Sequence, residues 1–394
     1  MSESLYEKLG IDPSKQSVRD IFLKLIDNEY QGAFVNIITD PFCENRVLTQ
    51  HQDGDGSKFI QRMIHYMETG DEQVFAGMAD DALSMNSGDI AASGFVFGPW
   101  IITDVLNLNL APELKKIVMK AVAVRLLELR EIYKEHNFNL KFLGGETADL
   151  PDQVKSGVFD IAITAWADKS DLVAGNIEAG DVIYGFASDG QAAWEEKPNS
   201  GIMSNGLTLA RSCLMHKEYN KLYPSLKRDG EFYTGTHYFD SDCISASYGM
   251  TAGEALLSPT RQWAIVIKTL ISILKEKNAS SMLHGISMNT GGGATKISHV
   301  GSGGLIYVKN MPTPPPLFLL IQNESGETWQ NMFRSFNCGI GIDVVGENND
   351  IFREAIIETS RICNVGQYHL GGVVKGETES NQIWLSTPFG DFKY

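Results

Sequence analysis

The run Phe138–Leu143 ends in two adjacent glycines, followed by Glu146-Thr147-Ala148-Asp149-Leu150-Pro151. The run has the length of one strand. Gly144 and Gly145 at its end permit positive φ and a close backbone approach to a ligand. A carboxylate and a hydroxyl directly behind them suit a phosphate held through a metal ion; a plain turn is the alternative. Upstream, Leu114, Ile117, Val118 and Ala121 recur at helical spacing behind Pro112, which is well placed in a first turn. A helix reaching about His136 therefore delivers the strand and its glycines.

Strands and helices mix along the rest of the chain. Arg46–Gln52, Phe159–Trp166, Val182–Ala187, Gly304–Val308, Leu317–Gln322, Gly339–Val345 and Gly372–Lys375 read as strands, with Pro312–Pro316 as a spacer. Helices are expected around Val18–Ile26, after Ser204-Asn205-Gly206, from Ser258-Pro259 to about Lys275 with Ser as N-cap, and over Asp350–Ile362. The fold class is α/β (α+β). At 394 residues two domains are the expectation. The polar stretch Asp168–Asp181 is the junction, giving 1–167 and 168–394. Arg228–Ala252, rich in Gly, Ser, Asp and Tyr, reads as an extended loop or insertion.

A net charge of −16 argues against a general nucleic-acid binder. No apolar run approaches the roughly 18 residues of a membrane span, and Met1-Ser2-Glu3-Ser4 lacks a basic-then-apolar signal. The expectation is a soluble cytoplasmic protein. The five cysteines, at 43, 213, 243, 338 and 363, form no CxxC pair and read as reduced thiols.

Four other segments can carry chemistry. Asp53-Gly54-Asp55-Gly56-Ser57-Lys58 offers carboxylates for a magnesium ion and a lysine for phosphate charge, or else a simple acidic turn. Asp80, Asp81 and Asp89 follow; if Asp81 and Asp89 flank one helix, their spacing is about two turns, placing them on one face. Ser204-Asn205-Gly206 at a helix start either caps it or binds an anion there. His284 precedes Thr290-Gly291-Gly292-Gly293, whose consecutive N–H groups suit an anion nest, with a flexible turn as the alternative.

Taken in order, these segments resemble the aminoimidazole ribonucleotide synthetase (phosphoribosylformylglycinamidine cyclo-ligase) family. Tyr6-Glu7-Lys8-Leu9-Gly10-Ile11-Asp12 is similar to its N-terminal Tyr…Ala-Gly-Val-Asp. Residues 53–58 resemble its Asp-Gly-Val-Gly-Thr-Lys, and 144–151 nearly repeat its Gly-Gly-Glu-Thr-Ala-Glu-Met-Pro. Ser204–Arg211, Leu257-Ser258-Pro259-Thr260-Arg261, Thr290–Gly293 and Met332–Gly339 continue the series. The resemblance covers nearly the whole chain. It implies a homodimer in which each N-terminal sheet contributes to a shared barrel, with a C-terminal α/β domain alongside. It implies ATP and Mg2+ as well, and ring closure of formylglycinamidine ribonucleotide. Under it, Asp53, Asp81 and Asp89 hold the metal, and Lys58, Asp89 and His284 are catalytic. Asp53, Gly54, Gly56, Ser57, Lys58, Asp81 and Gly144–Thr147 (Gly144, Gly145, Glu146, Thr147) bind the nucleotide. Ser204, Asn205, Gly206, Thr290, Gly291, Gly292 and Gly293 face the substrate.

The chain departs from that pattern at Met203 and Met288, where the family has His, and at Gly88, where it has Asn. Methionine neither takes up a proton nor donates a hydrogen bond as imidazole does. Other ATP-using relatives, selenophosphate synthetase, thiamine-monophosphate kinase and the hydrogenase maturation factor, are alternatives. Cys43 lacks the glycine-rich setting of the first, and Asp391-Phe392-Lys393-Tyr394 lacks the terminal Cys of the last. A nucleotide-binding regulator without catalysis is the non-enzymatic alternative.

Overall fold

The computed structural model describes residues 4–11, 21–227, 230, 232–242, 244 and 248–394. Asp12, Cys243 and part of the helix expected around Val18–Ile26 lie outside them; within that helix Leu23–Leu25 forms a 3-10 turn. Parts of Arg228–Ala252 also lie outside. Of its described residues Phe232, Tyr233 and Phe239 are buried, whereas Tyr238 is exposed.

Two sheets organise the chain. The first comprises β1 (Ile38–Asp40), β2 (Cys43–Gly54), β3 (Pro99–Leu108), β4 (Asn139–Asp149) and β5 (Gly157–Asp168), in the order β1-β2-β5-β3-β4. β5 alternates strictly: Phe159, Ile161, Ile163 and Ala165 are buried, whereas Asp160, Ala162, Thr164 and Trp166 on the other face are half-exposed. Each fully buried Ile or Phe stabilises by about 1.5–3 kcal/mol, so this period fixes which face meets the core. Helix α1 (Lys58–Thr69) follows β2, and α2 (Gly77–Ala92) lies on the buried face. All of α2 beyond its first residue is buried, three aspartates included. Helix α3 (Pro112–Glu135) starts at its proline, as its sequence predicts.

The second sheet holds β6 (Val182–Ala187), β9 (Leu283–Met288), β10 (Leu305–Asn310), β11 (Ile340–Gly346), β12 (Gln367–Lys375), β13 (Gln382–Thr387) and β14 (Gly390–Lys393). Their order is β14-β13-β10-β12-β6-β11-β9; a ribbon of β7 (Asp189–Gly190) and β8 (Asn199–Ser200) stands apart. β6 is buried throughout, matching its unbroken apolar sequence. Helices α4 (Leu207–Leu214), α5 (Trp263–Glu276), α6 (Pro316–Ser325) and α7 (Asp350–Cys363) accompany this sheet. Helix α5 packs on both α7 and α2, so α2 lies between the first sheet and the second half of the chain.

Three expectations change. Leu317–Gln322 is helix, not strand: Pro316 occupies the first turn and Gly326, at φ +66°, closes it. Ser258 ends the short helix Ala252–Leu257 instead of opening the next one, which begins at Trp263. β4 does not stop at Leu143 but runs through Gly144–Asp149. Leu143 and Gly144 together oppose Thr103, because pairing shifts between Ile102↔Phe142 and Asp104↔Gly145. That is a β-bulge, and Gly144 supplies its positive φ of +90°.

Candidate active site

The Asp53–Lys58 loop joins the end of β2 to α1, whose first residue is Lys58. Lys58 and Arg62, one turn apart, both face α2 and meet on Asp81. Lys58 Nζ donates to Asp81 Oδ1 at 2.9 Å and to the Ser258 carbonyl at 2.6 Å. Arg62 Nη2 donates to Asp81 Oδ2. The second half of the chain supplies the rest: Thr260 N and Oγ1 each donate to Oδ1 at 2.7 Å, and Ser204 Oγ at 2.9 Å. Burial alone would raise the Asp81 carboxyl, but the Lys58 and Arg62 charges outweigh it and hold it below its ordinary value. Both Asp81 oxygens are thus committed, and its carboxylate is the counter-ion of Lys58 instead of an open metal ligand.

Asp89, two turns along α2, belongs to a second group. Its Oδ2 lies 3.3 Å from His51 Nε2, while His51 Nδ1 meets Asn86 Oδ1 at 3.0 Å. Asn86 Nδ2 donates to the Asp53 carbonyl at 2.8 Å. Burial lowers the His51 pKa, but hydrogen bonds to Asp89 and Asn86 and the charges of Asp89 and Asp53 leave it raised overall. Asp89 Oδ1 is buried without a hydrogen-bond partner. Asp55, in the same loop as Asp53, turns inward and is fully buried; that burial pushes its carboxyl up to about 8, against the opposing charge of Arg62. It stands where the resembled family carries Val.

The Ser204-Asn205-Gly206 turn is brought onto the same loop. Arg211 Nη1 of α4 donates to the Ser57 carbonyl at 2.9 Å. Gly206 caps α4 at φ +73°, and a Cβ there would run into the Phe336 ring. Asn205 Nδ2 is buried without a partner, and a Cβ on Gly291 would lie 3.7 Å from Asn205 Oδ1. The Thr290–Gly293 turn is therefore adjacent. Gly291, Gly292 and Gly293 all have positive φ, +42°, +123° and +53°. Among the described residues no hydrogen bond engages their N–H groups. A row of unengaged N–H groups beside a buried amide is backbone of the kind that can receive an anion.

Not every expected residue joins. Gly144–Thr147 are exposed on β4, an edge strand. Asp53, Ile161, Asp104 and Gly145 pair in one row across β2, β5, β3 and β4. Gly145 is therefore three strands, about 14 Å, from Asp53. His284 sits at the start of β9 with Nδ1 2.7 Å from Asp181 Oδ2. That end is four residues, about 13 Å, from Met288 beside the glycine turn. Met203 and Met288 are both buried, and Met288 packs against Gly88 of α2. Arg62, Arg211, Thr260 and His51 were not singled out from sequence. Arg211 and Thr260 fall inside motifs that match the family, and Arg62 carries a signal in its one-turn spacing from Lys58.

Among the described residues no group of three or more His, Cys, Asp or Glu side chains is disposed to hold a metal, and no helix is long and apolar enough to cross a membrane. No family model matches the chain. The phosphoribosylformylglycinamidine cyclo-ligase of Methanococcus vannielii is 30% identical over 331 residues, covering 84% of this chain and 77% of that protein. The chain belongs to the phosphoribosylformylglycinamidine cyclo-ligase family. Its relative in Methanocaldococcus jannaschii is 29% identical over 340 residues, 85% of this chain and 81% of that one. That of Brevibacillus brevis is 27% identical over 355 residues, 88% and 85% respectively. As a cyclo-ligase family member the protein is an enzyme of the carbon–nitrogen bond-forming class.

Solved structures of similar fold include hydrogenase maturation protein HypE in complex with ATP, with a TM-score of 0.53, 13% identity and coverage of 100% of this chain and 97% of that one. Phosphoribosylformylglycinamidine synthase II from Thermotoga maritima gives a TM-score of 0.53 at 13% identity, covering 99% of this chain and 53% of that one. The cyclo-ligase fold is thus the two-sheet α/β arrangement these structures share.

Proposed function

We propose that this protein closes the imidazole ring of formylglycinamidine ribonucleotide with ATP, giving aminoimidazole ribonucleotide, ADP and phosphate, as a cytoplasmic step of de novo purine biosynthesis. Beyond family membership, one observation carries the reading: loops 53–58 and 204–206, from distant parts of the chain, meet on Asp81, and the 290–293 turn lies against Asn205 with a row of unengaged N–H groups. The formyl amide oxygen is a poor leaving group. Transfer of the ATP γ-phosphoryl group to it makes it a phosphate; the amidine nitrogen then attacks that carbon and the phosphate departs with the C–O electron pair. Such catalysis is largely positioning and charge neutralisation.

The Gly291–Gly293 N–H groups, Thr290 and Asn205 Nδ2 would receive the ribonucleotide phosphate, with Ser204 and Gly206 shaping that wall. Lys58, held by Asp81, supplies positive charge beside the Asp53–Ser57 loop. The unpartnered Oδ1 of Asp89, whose charge acts on His51 together with that of Asp53, would suit a magnesium site built from oxygen donors. Asp53 and Asp89 would hold the ion, which when bound neutralises phosphate charge. The exposed edge of β4 at Gly144–Thr147, where the Thr147 N–H already meets Glu146 Oε1 at 3.2 Å, would face the nucleotide. The half-exposed face of the first sheet, with Trp166 and Thr164, would meet a second copy in a homodimeric barrel. Residues 1–167 and 168–394 would then be the ATP-binding and dimerisation domain and the substrate domain.

Purified protein given ATP, Mg2+ and formylglycinamidine ribonucleotide should release ADP and the aminoimidazole product in equal amounts. Binding of ATP without substrate-dependent ADP release would refute the proposal.

A further inference from the structure

A fully buried ion pair lies beneath the Thr290–Gly293 turn. Lys309 of β10 and Asp343 of β11 are both 0% exposed, with Lys309 Nζ 2.6 Å from Asp343 Oδ2. The same ammonium donates to the Ala294 carbonyl at 2.9 Å, immediately after the last glycine. On the other side of the turn, Asn289 N donates to the Gly341 carbonyl at 2.8 Å and its Nδ2 to the Ile340 carbonyl at 3.1 Å. The three glycines are therefore suspended between two anchors, and both anchors lead to β11.

We infer that Lys309 and Asp343 are positioning residues that fix this turn for an anionic ligand; the inference rests on the phosphate reading of Gly291–Gly293 given above. Three consecutive glycines carry an unusually large conformational entropy. Ordering them only when ligand arrives would subtract directly from affinity. Gripping the Ala294 carbonyl from below fixes the turn beforehand, while the N–H groups of Gly291–Gly293 stay unengaged.

Stability alone does not account for the pair. A buried ion pair replaced by apolar residues of similar volume is often neutral or stabilising. Here the network is also incomplete: Asp343 Oδ1 and Ser287 Oγ, cross-strand neighbours on β11 and β9, are buried without partners. A partly satisfied polar cluster in the core is costly. What the pair does that Met and Leu could not is hold a backbone carbonyl.

Inorganic phosphate is the probe. Titrated into wild-type protein, it should shift the amide resonances of Gly291, Gly292 and Gly293; no shift there refutes the phosphate reading itself, and this inference with it. The double variant Lys309→Met/Asp343→Leu should unfold near the wild-type midpoint, yet bind phosphate about tenfold more weakly, equivalent to about 1.4 kcal/mol. Its KM for formylglycinamidine ribonucleotide should rise similarly, with KM for ATP unchanged. Phosphate shifts in wild type together with equal affinity in the double variant overturn the positioning role alone. A wild-type measurement covers the case in which the variant does not fold. The Thr295 amide, bonded to the Gly292 carbonyl, should exchange slowly with solvent before phosphate is added; exchange at the unfolded-chain rate without phosphate also overturns the role.

Discussion

Gly88→Ala is the sharpest test of the packing around α2. Gly88 lies inside a helix buried on all sides. An added Cβ would run into Met288 Sδ, with Met288 Cε at 3.3 Å and the Trp263 Cβ at 3.5 Å. Met288 is 0% exposed, so its side chain has no open space to swing into. Two opposing effects set the magnitude. Alanine is favoured over glycine in a helix interior by about 0.5–1 kcal/mol. Overpacking a filled core costs about 1–3 kcal/mol, at the lower end when the neighbour is a flexible methionine. The net expectation is a destabilisation of about 1 kcal/mol. In a Met288→Ala background, itself weakened by about 2–5 kcal/mol, the obstacle is gone and the helix preference acts alone. There Gly88→Ala should stabilise by about 0.5–1 kcal/mol. The cycle thus predicts a coupling of about 2 kcal/mol, well above the roughly 0.5 kcal/mol scatter of independent sites. Urea unfolding of the four proteins measures it. Additive effects, or a stabilising Gly88→Ala in the wild-type background, would refute the reasoning. The two positions are also places where the chain departs from its family's pattern, so their contact makes one coupled change out of two.

Asp89→Asn should lower magnesium-dependent ATP turnover about tenfold or more, as loss of a charge-neutralising group does, with little change in the unfolding midpoint; an unaltered magnesium response removes Asp89 from the site. Asp55 should make stability fall as pH rises: its folded pKa of about 8 exceeds the unfolded value near 3.9, so its contribution is complete below the unfolded value and lost as pH climbs through the folded one. Asp55→Asn, neutral throughout, should gain on wild type steadily between those limits, and a pH-independent difference in melting temperature contradicts this. Trp166→Glu on the half-exposed face of the first sheet should convert a dimer to a monomer in light scattering; a wild-type monomer dismisses the barrel.

The sequence reveals elements where a single local cause dominates. Pro112 opens α3, and the unbroken apolar run Val182–Ala187 is a buried strand, because neither depends on distant residues. Leu317–Gln322 misleads because a six-residue apolar run fits either a strand or one side of a helix. Gly144 and Gly145 invite a turn, yet β3 is available to pair with them, and the first glycine is absorbed as a bulge. The candidate site was legible as a set of motifs but not as a map. Nothing local announces that Asp81 would be enclosed by Thr260 and Ser204, or that His284 would face Asp181 at the far end of its strand. Such pairings are decided by sheet order and by which helix lies between the sheets.

The partners of Asp81 have a consequence for how the protein can be cut. Lys58 and Arg62 come from the first half of the chain; Ser204, Thr260 and the Ser258 carbonyl that holds Lys58 come from the second. Neither half on its own can satisfy the carboxylate and the ammonium together. A fragment ending between the two sheets would expose α2 to water along the side that α5 covers, and would leave Lys58 short of an acceptor in the core. The two sheets thus divide the architecture without dividing the folding unit. Separated halves should therefore fold only when mixed.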